Sequence, residues 1–247
     1  MGLKSLFGKK KLKTDFDLGS IGIDVHSHLI PGIDDGSQSM EQTVEMLEEF
    51  IQLGYKKVIT TPHVMSDYYK NTPEIILDGL NLLRKEIEKR DLDIEIEAAA
   101  EYFFDEFIQS KITNKELLTF GDNYVLFEFS FTAAPTNKNE LIFDLVNAGY
   151  HPVLAHYERY LYFEKDGVDF VKDLRNRGVF IQMNLNSLSG HYGRKVQAQA
   201  EMLIDNKLVD FVGTDCHRIQ HLDLLKQNLN KKYYHKLADL NLLNKTL

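Results

Sequence analysis

The chain is nearly empty of the residues that build disulfides and thiolate clusters: among 247 residues there is one cysteine, Cys216, and no tryptophan. A lone cysteine excludes an intramolecular disulfide and a cysteine-only zinc site, and it suits a reducing compartment, so a cytoplasmic location is expected. No apolar run reaches the roughly 18 residues that a membrane span requires, and the start lacks the apolar core and cleavage site of a secretory signal. Basic charge is short as well: 29 Lys and Arg stand against 37 Asp and Glu, a formal net charge of -8. A general nucleic-acid binder needs a basic surface to displace counterions from phosphates, so no nucleic-acid partner is expected. Neither a Walker loop nor a dinucleotide fingerprint occurs. A thiol-dependent phosphatase loop would need an Arg six residues beyond Cys216; that position is Leu222, with no glycine-rich anion cradle around it. Cys216 is therefore expected to be a small packed thiol.

What is present begins with a local basic island. Within residues 1–19, Lys4, Lys9, Lys10, Lys11 and Lys13 alternate loosely with Leu3, Leu6, Phe7 and Leu12. The segment reads as a flexible tail, either solubilising or attached weakly to an anionic membrane surface, and so peripheral to the inner membrane. Leu6 stands where a myristoylation pattern needs Ser or Thr. The chain as a whole is 43% hydrophobic, and from residue 20 to 247 no Gly-, Ser- or Pro-rich linker interrupts it, which predicts one domain.

Within that domain, β-rich runs at 21–25, 57–61, 94–99, 124–129, 152–155, 179–183 and 209–213 alternate with helical patterns, the signature of βα units around a parallel sheet. Ser39 with Gln42 three residues later forms a capping box ahead of a Val44, Leu47, Ile51 stripe that stops at Gly54. Thr72-Pro73 opens a second helix carrying Ile76, Leu80, Leu83 and Ile87. Further helices are expected over 137–148, 167–177, 194–206 and in the last thirty residues.

Polar residues fall at the strand ends: His26 and His28, His63, Glu101, Glu128, His156, Asn184, then Asp215 and His217. They recur roughly every thirty residues, about the length of one βα unit. In a closed parallel barrel every strand delivers its C-terminal end to the same face, so these side chains converge. Five of the nine histidines sit at such positions; His151, His191, His221 and His235 do not and read as structural or solvent-exposed. His26 and His28 are two apart on an extended segment and project to one side, and Asp215 and His217 repeat the spacing. Mixed imidazole and carboxylate donors suit Mn, Fe or Zn better than Ca, and a carboxylate such as Glu101 can bridge two ions. The donors exceed what one ion accepts, so two or three ions are expected. Asp24 is either a partner for an imidazole N–H or a strand-end turn carboxylate. Tyr68, Tyr69, Phe103 and Phe104 follow strand-end ligands and either flank an aryl ring or pack the rim.

The motifs Asp24-Val-His-Ser-His28, Asp34-Asp-Gly36, Thr61-Pro-His63, Ala100-Glu101, Phe127-Glu-Phe129, Ala155-His-Tyr-Glu-Arg159 and Thr214-Asp-Cys-His217 resemble the ordered motifs of PHP-domain phosphoesterases. Over about residues 21–220 they are similar, more narrowly, to the bacterial manganese-dependent tyrosine-protein phosphatases of capsule and exopolysaccharide operons. The resemblance implies a distorted (β/α)7 TIM-like barrel and three metal positions. It further implies Mn as cofactor and phosphotyrosine on the tail of a cognate tyrosine kinase as substrate. Carried over by position, the metal ligands are His26, His28, Asp35, His63, Glu101, Glu128, His156, Asp215 and His217, with Arg159 as catalytic and substrate-binding phosphate contact. A second Arg a few residues beyond the final DxH has Arg218 as its counterpart, directly adjoining the motif. Rival readings are a PHP phosphatase for a small phosphomonoester such as histidinol phosphate, a proofreading exonuclease module, and a metal-containing scaffold without turnover. A related amidohydrolase barrel would want a bridging Lys where Glu101 and Glu128 stand.

Overall fold

Most of the β-rich runs are apolar at successive positions, so these strands must bury both faces, and the sheet does so by curling on itself beneath a layer of helices. The computed structural model describes residues 14–247. Its strands are β1 (Ile23–Asp24), β2 (Lys57–Thr60), β3 (His63–Val64), β4 (Glu95–Ala98), β5 (Glu101–Phe103), β6 (Tyr124–Glu128), β7 (His151–Leu154), β8 (Phe180–Asn184) and β9 (Phe211–Gly213). They form two ladders, β1-β2-β4 and β3-β5-β6-β7-β8-β9, with every pair parallel. β3 prolongs β2 past Thr61-Pro62, and β5 prolongs β4 past Ala99-Ala100, so nine strands make seven staves. These match the seven expected runs in order.

The barrel closes between its first and last staves. Ser27 bridges Cys216 in parallel, the His28 N–H donates to the Cys216 carbonyl at 2.8 Å and the Asp215 N–H to the His26 carbonyl at 2.7 Å. Towards the other mouth the seam is held by a side chain: Asn244 donates to the Ile23 and Val212 carbonyls (2.9 and 2.8 Å) and accepts the Val212 N–H at 3.0 Å. The alternation separates two apolar layers. Val25, Ile59, Ala99, Leu126, Val153 and Phe211 fill the barrel interior together with Leu243 and Leu247. Their neighbours Val58, Val125, Phe127, Leu154 and Val212 face the helices.

Those helices are α1 (Met40–Gln52), α2 (Pro73–Arg90), α3 (Ile108–Asn114), α4 (Lys138–Asn147), α5 (Gly167–Asn176), α6 (Arg194–Asp205), α7 (Ile219–Asn228) and α8 (Lys232–Lys236). The Ser39 hydroxyl accepts the Gln42 N–H, while the Gln42 side chain reaches the Gln38 N–H instead of returning to Ser39, a capping box displaced by one residue. The short α3 was not expected; it starts with no side-chain cap and carries no recognisable start signal. Of the expected tail, residues 1–13 lie outside the described residues, and residues 14–19 are described. Phe16 and Leu18 are buried, and the Phe16 N–H donates to the Leu229 carbonyl. No helix among the described residues is long and apolar enough to cross a membrane.

Candidate metal centre

Every stave but β8 places a candidate ligand at its C-terminal end. His26 and His28 follow β1, His63 opens β3, Glu101 opens β5, Glu128 closes β6, His156 follows β7, Asp215 and His217 follow β9, and Asp35 comes from the loop before α1. Two of these turn inward through unusual backbone: His156 has φ 33° and Asp215 φ 51°. A non-glycine residue in that region costs on the order of 1 kcal/mol and persists only where its surroundings hold it. Here the His156 N–H donates to Gln182 Oε1 at 2.7 Å, and the Asp215 N–H is taken by His26 at the barrel seam. Glycine is required at 213, where a Cβ would stand 2.6 Å from that of His26 and 3.0 Å from Gln182 Nε2.

The donor atoms crowd together. Glu101 Oε2 lies 3.2 Å from His26 Nε2, 3.5 Å from His28 Nε2 and 3.1 Å from His63 Nδ1, while its other oxygen meets His156 Nε2 at 3.0 Å. Asp215 Oδ1 stands 3.5 Å from His26 Nε2 and 3.6 Å from His28 Nε2. Glu128 approaches His63 at 3.3 Å and His156 at 3.5 Å, and Asp35 Oδ1 approaches His63 at 3.6 Å and His217 at 3.5 Å. Donors sharing one ion at ligand distances of roughly 2.0–2.2 Å stand about 3–3.5 Å apart, so the spacing suits shared cations.

Hydrogen-bond satisfaction carries the stronger test of fit. His26 Nε2, His28 Nε2, His63 Nδ1, Glu101 Oε2 and His156 Nδ1 are buried without a hydrogen-bond partner, a cost that native proteins rarely leave uncompensated. Three imidazoles have their other nitrogen engaged: His26 Nδ1 with Gln182 Oε1 (3.1 Å), His28 Nδ1 with Asp34 Oδ2 (2.8 Å) and His217 Nδ1 with the Asp215 carbonyl (3.0 Å). With those N–H groups donated outward, each Nε2 lone pair faces the centre, the arrangement metal-binding imidazoles adopt. The donor set fits metal ions. Four subsets of three or four side chains can each bring ligand atoms to one point: His28, Asp35, His63 and His217; His26, His28 and Glu101; His26, His156 and Asp215; His63, Glu101 and Glu128.

Without cations the cluster balances its own charge. Burial alone would lower the His28 imidazole, but Asp34, Asp215 and Glu101 override it and leave it well above its ordinary range. His156 is raised to about 9, burial again opposing and the Glu101 and Glu128 bonds prevailing. Burial acts to raise Glu101 and Asp215, and the surrounding histidines hold both well below the usual carboxylate range. Ionised carboxylates are ready ligands for a cation, and the protons held on the imidazoles are what a cation would displace on binding.

The centre forms the floor of an open cleft of about 440 Å³, lined by Arg159, Phe131, His191, Tyr192, Arg218 and His221 among others. Arg159 lies at its wall, with Nη1 3.2 Å from Asp215 Oδ2. Arg218 is exposed at the rim and donates from Nε to His221 Nε2 at 3.3 Å. Asn184 donates to Asp215 Oδ2 at 2.7 Å, a supporting contact.

Several readings are corrected. His191 is exposed, as read, and stands at the cleft, while His221, read as structural or exposed, is half-buried in the cleft lining with Nδ1 3.1 Å from the Asp215 carbonyl oxygen. Asp24 serves no imidazole: its carboxylate accepts the Thr214 N–H at 2.7 Å and the Thr214 hydroxyl at 3.1 Å across the seam, and burial raises it to about 7. The residue that orients His28 is Asp34, which also accepts the His63 N–H at 3.0 Å; only its place beside Asp35 in the Asp-Asp-Gly motif hinted at it. Gln182 and Phe131 carried no signal. Of the four aromatics, Tyr69 stacks on His63 at 5.6 Å and Phe104 packs edge-on to Phe129, whereas Tyr68 is exposed. Tyr69 and Phe103 line a neighbouring groove and none of the four borders the cleft.

Residues 22–243 match the family model for capsular polysaccharide synthesis, CpsB/CapC. The tyrosine-protein phosphatase YwqE of Bacillus subtilis is 29% identical over 199 residues, covering 80% of this chain and 78% of its own. The tyrosine-protein phosphatase CpsB of Streptococcus agalactiae is 26% identical over 203 residues, covering 80% and 83%. The crystal structures of YwqE from Bacillus subtilis and CpsB from Streptococcus pneumoniae, described as unique metal-dependent tyrosine phosphatases, include one that superposes with a TM-score of 0.75. It shows 27% identity over 88% of this chain and 91% of that one.

Proposed function

We propose, for a chain that belongs to the CpsB/CapC family of capsular polysaccharide synthesis, that it is a metal-dependent protein-tyrosine phosphatase acting on phosphotyrosine in the tail of a cognate tyrosine kinase. The observation that carries the reading is the set of orphaned buried donor atoms converging under a cleft whose wall holds Arg159. In this reading His26, His28, Asp35, His63, Glu101, Glu128, His156, Asp215 and His217 hold two or three ions, with Mn as the physiological metal and Fe or Zn as substitutes. Glu101 would serve more than one ion, since its two oxygens face different imidazoles.

Bound ions supply Lewis acidity to the phosphoryl group and a water of lowered pKa as nucleophile. Everything else is the work of side chains. Arg159 spends one nitrogen on Asp215 and keeps the remaining N–H groups for the equatorial phosphoryl oxygens, whose charge grows in the transition state. Arg218 at the rim is the second cation for the incoming phosphate. Cys216 takes no part: it is fully buried against Met46, and burial pushes its thiol well above the ordinary range. A phenol leaves with a pKa of about 10, so a tyrosine ester demands less proton donation than a serine ester. In this reading the protein acts in the cytoplasm and regulates capsule or exopolysaccharide production, with the basic stretch from Lys4 to Lys13 giving weak attachment to the inner membrane.

The test compares a phosphotyrosine peptide, a phosphoserine peptide and histidinol phosphate, with Mn, after chelation, and with His156→Ala. Tyrosine-selective turnover lost on chelation and on substitution is the expected result. Turnover of histidinol phosphate alone would replace the substrate and keep the metal chemistry; turnover of nothing by the metal-loaded protein would sink the reading.

A further inference from the structure

Three neighbouring loops at the ligand mouth place one residue each around a single guanidinium. Phe131 follows β6, Arg159 follows β7 and Tyr192 comes from the segment between β8 and α6. Arg159 Cζ lies 4.2 Å from the centroid of the Phe131 ring and 4.4 Å from that of Tyr192. We propose that Phe131 and Tyr192 are positioning residues that clamp Arg159, keeping its free N–H groups turned to a tetrahedral oxyanion in the cleft instead of collapsing onto the metal-binding carboxylate.

The reason lies in how Asp215 divides its oxygens. Oδ1 faces His26, His28 and His217, while Oδ2 accepts from Asn184 at 2.7 Å and from Arg159 at 3.2 Å. An unrestrained guanidinium beside a buried carboxylate tends to close into a two-pronged pair. That closure would occupy Oδ1, the oxygen turned toward the imidazoles, and consume the donors meant for substrate. Two ring faces against the planar cation favour the orientation with a single contact, and they offset the rotamer freedom that a long Arg side chain loses. Phe131 is tied in turn to the centre: its ring lies 5.2 Å from that of His156 and 5.7 Å from that of Tyr160. Both clamp residues line the cleft, and Phe131 is 44% exposed, so replacing it does not empty the core.

The proposal deepens the phosphatase reading but is measured without turnover, as inorganic phosphate binding to the Mn-loaded protein by titration calorimetry, with Mn per chain determined for every variant. Phe131→Leu and Tyr192→Leu should each weaken phosphate by about five- to tenfold, the size of a partly desolvated cation–π contact. Phe131→Tyr and Tyr192→Phe should stay within about twofold of the parent, because the ring faces remain. On an Arg159→Ala background the leucine substitutions should cost nothing further, since the residue they position is gone. Equal losses with and without Arg159, no loss in either leucine variant, or no phosphate binding by the parent would each overturn the clamp. If one leucine variant fails to fold or to load Mn, the other and its double mutant decide. A parent that binds phosphate in this coupled way yet hydrolyses no phosphomonoester would leave the clamp standing and remove the phosphatase reading.

Discussion

At one mouth of the barrel Leu126, Val153 and Phe211 meet Leu243 and Leu247 in a dry apolar plug; a few residues further along the same strands, Glu128, His156 and Asp215 form part of a polar cluster with orphaned donors. The plug rests on non-directional burial, which tolerates small shifts in geometry. The cluster is held by directional contacts and by two residues in left-handed backbone, and it carries buried polar atoms without hydrogen-bond partners. One set of strands thus stabilises the fold at one end and accepts local instability at the other.

If that division holds, substitutions at the two mouths should fail in opposite ways. The largest effect belongs to the ligand end: chelation, or His156→Ala, should lower turnover of a phosphotyrosine peptide by about a thousandfold or more, while the substitution changes metal-free stability by no more than about 1 kcal/mol above pH about 9, where the imidazole has lost its proton. Urea unfolding of the metal-free variant checks the second half, and a large loss of stability there would erase the contrast. At the plug, Phe211→Ala should cost about 3–5 kcal/mol while leaving kcat per folded molecule unchanged. A proportionate drop in kcat would mean that the plug transmits its packing to the site.

Gln182 lies beneath the ligand end, where its side-chain oxygen meets both His26 Nδ1 and the His156 N–H. Gln182→Leu should weaken Mn binding by about 10–100-fold, read by competition with a chelator; unchanged affinity would show that packing alone orients these imidazoles. The smallest effect is on pH dependence. Burial opposes protonation of His156, but the Glu101 and Glu128 bonds raise it from 6.5 to about 9. Its contribution to the metal-free fold is therefore complete below pH 6.5 and lost as pH rises through about 9. Tm of the metal-free protein should fall by several degrees across that window, and Mn affinity should rise, because the displaced proton is held less tightly. Flat profiles in both would mean that His156 stays neutral.

Legibility followed the range of the interactions. The helices with caps were readable, because Ser39 and Thr72 act on N–H groups within three residues. α3 was not, having no local start signal, and the burial of Phe16 was hidden because its partner, Leu229, lies at the far end of the chain. At the site, the residues expected as ligands stand around one mouth because each belongs to a repeated strand end. Asp24 was legible as a carboxylate beside the HxH but not in its burial or its partner, since Thr214 is brought to it only by barrel closure.

The sequence by itself determined the periodicity: alternating strands and helices, a donor at nearly every strand end, and one family's order of motifs. Those are local patterns repeated along the chain, and parallel closure converts repetition into convergence. Only the tertiary structure decided which side chains support the donors. Gln182 beneath two histidines, Asn244 across the seam, and Phe131 and Tyr192 on Arg159 are contacts between separate loops and strands. No spacing rule relates such residues, because the distance between them is set by how the barrel curls and not by the length of chain that joins them.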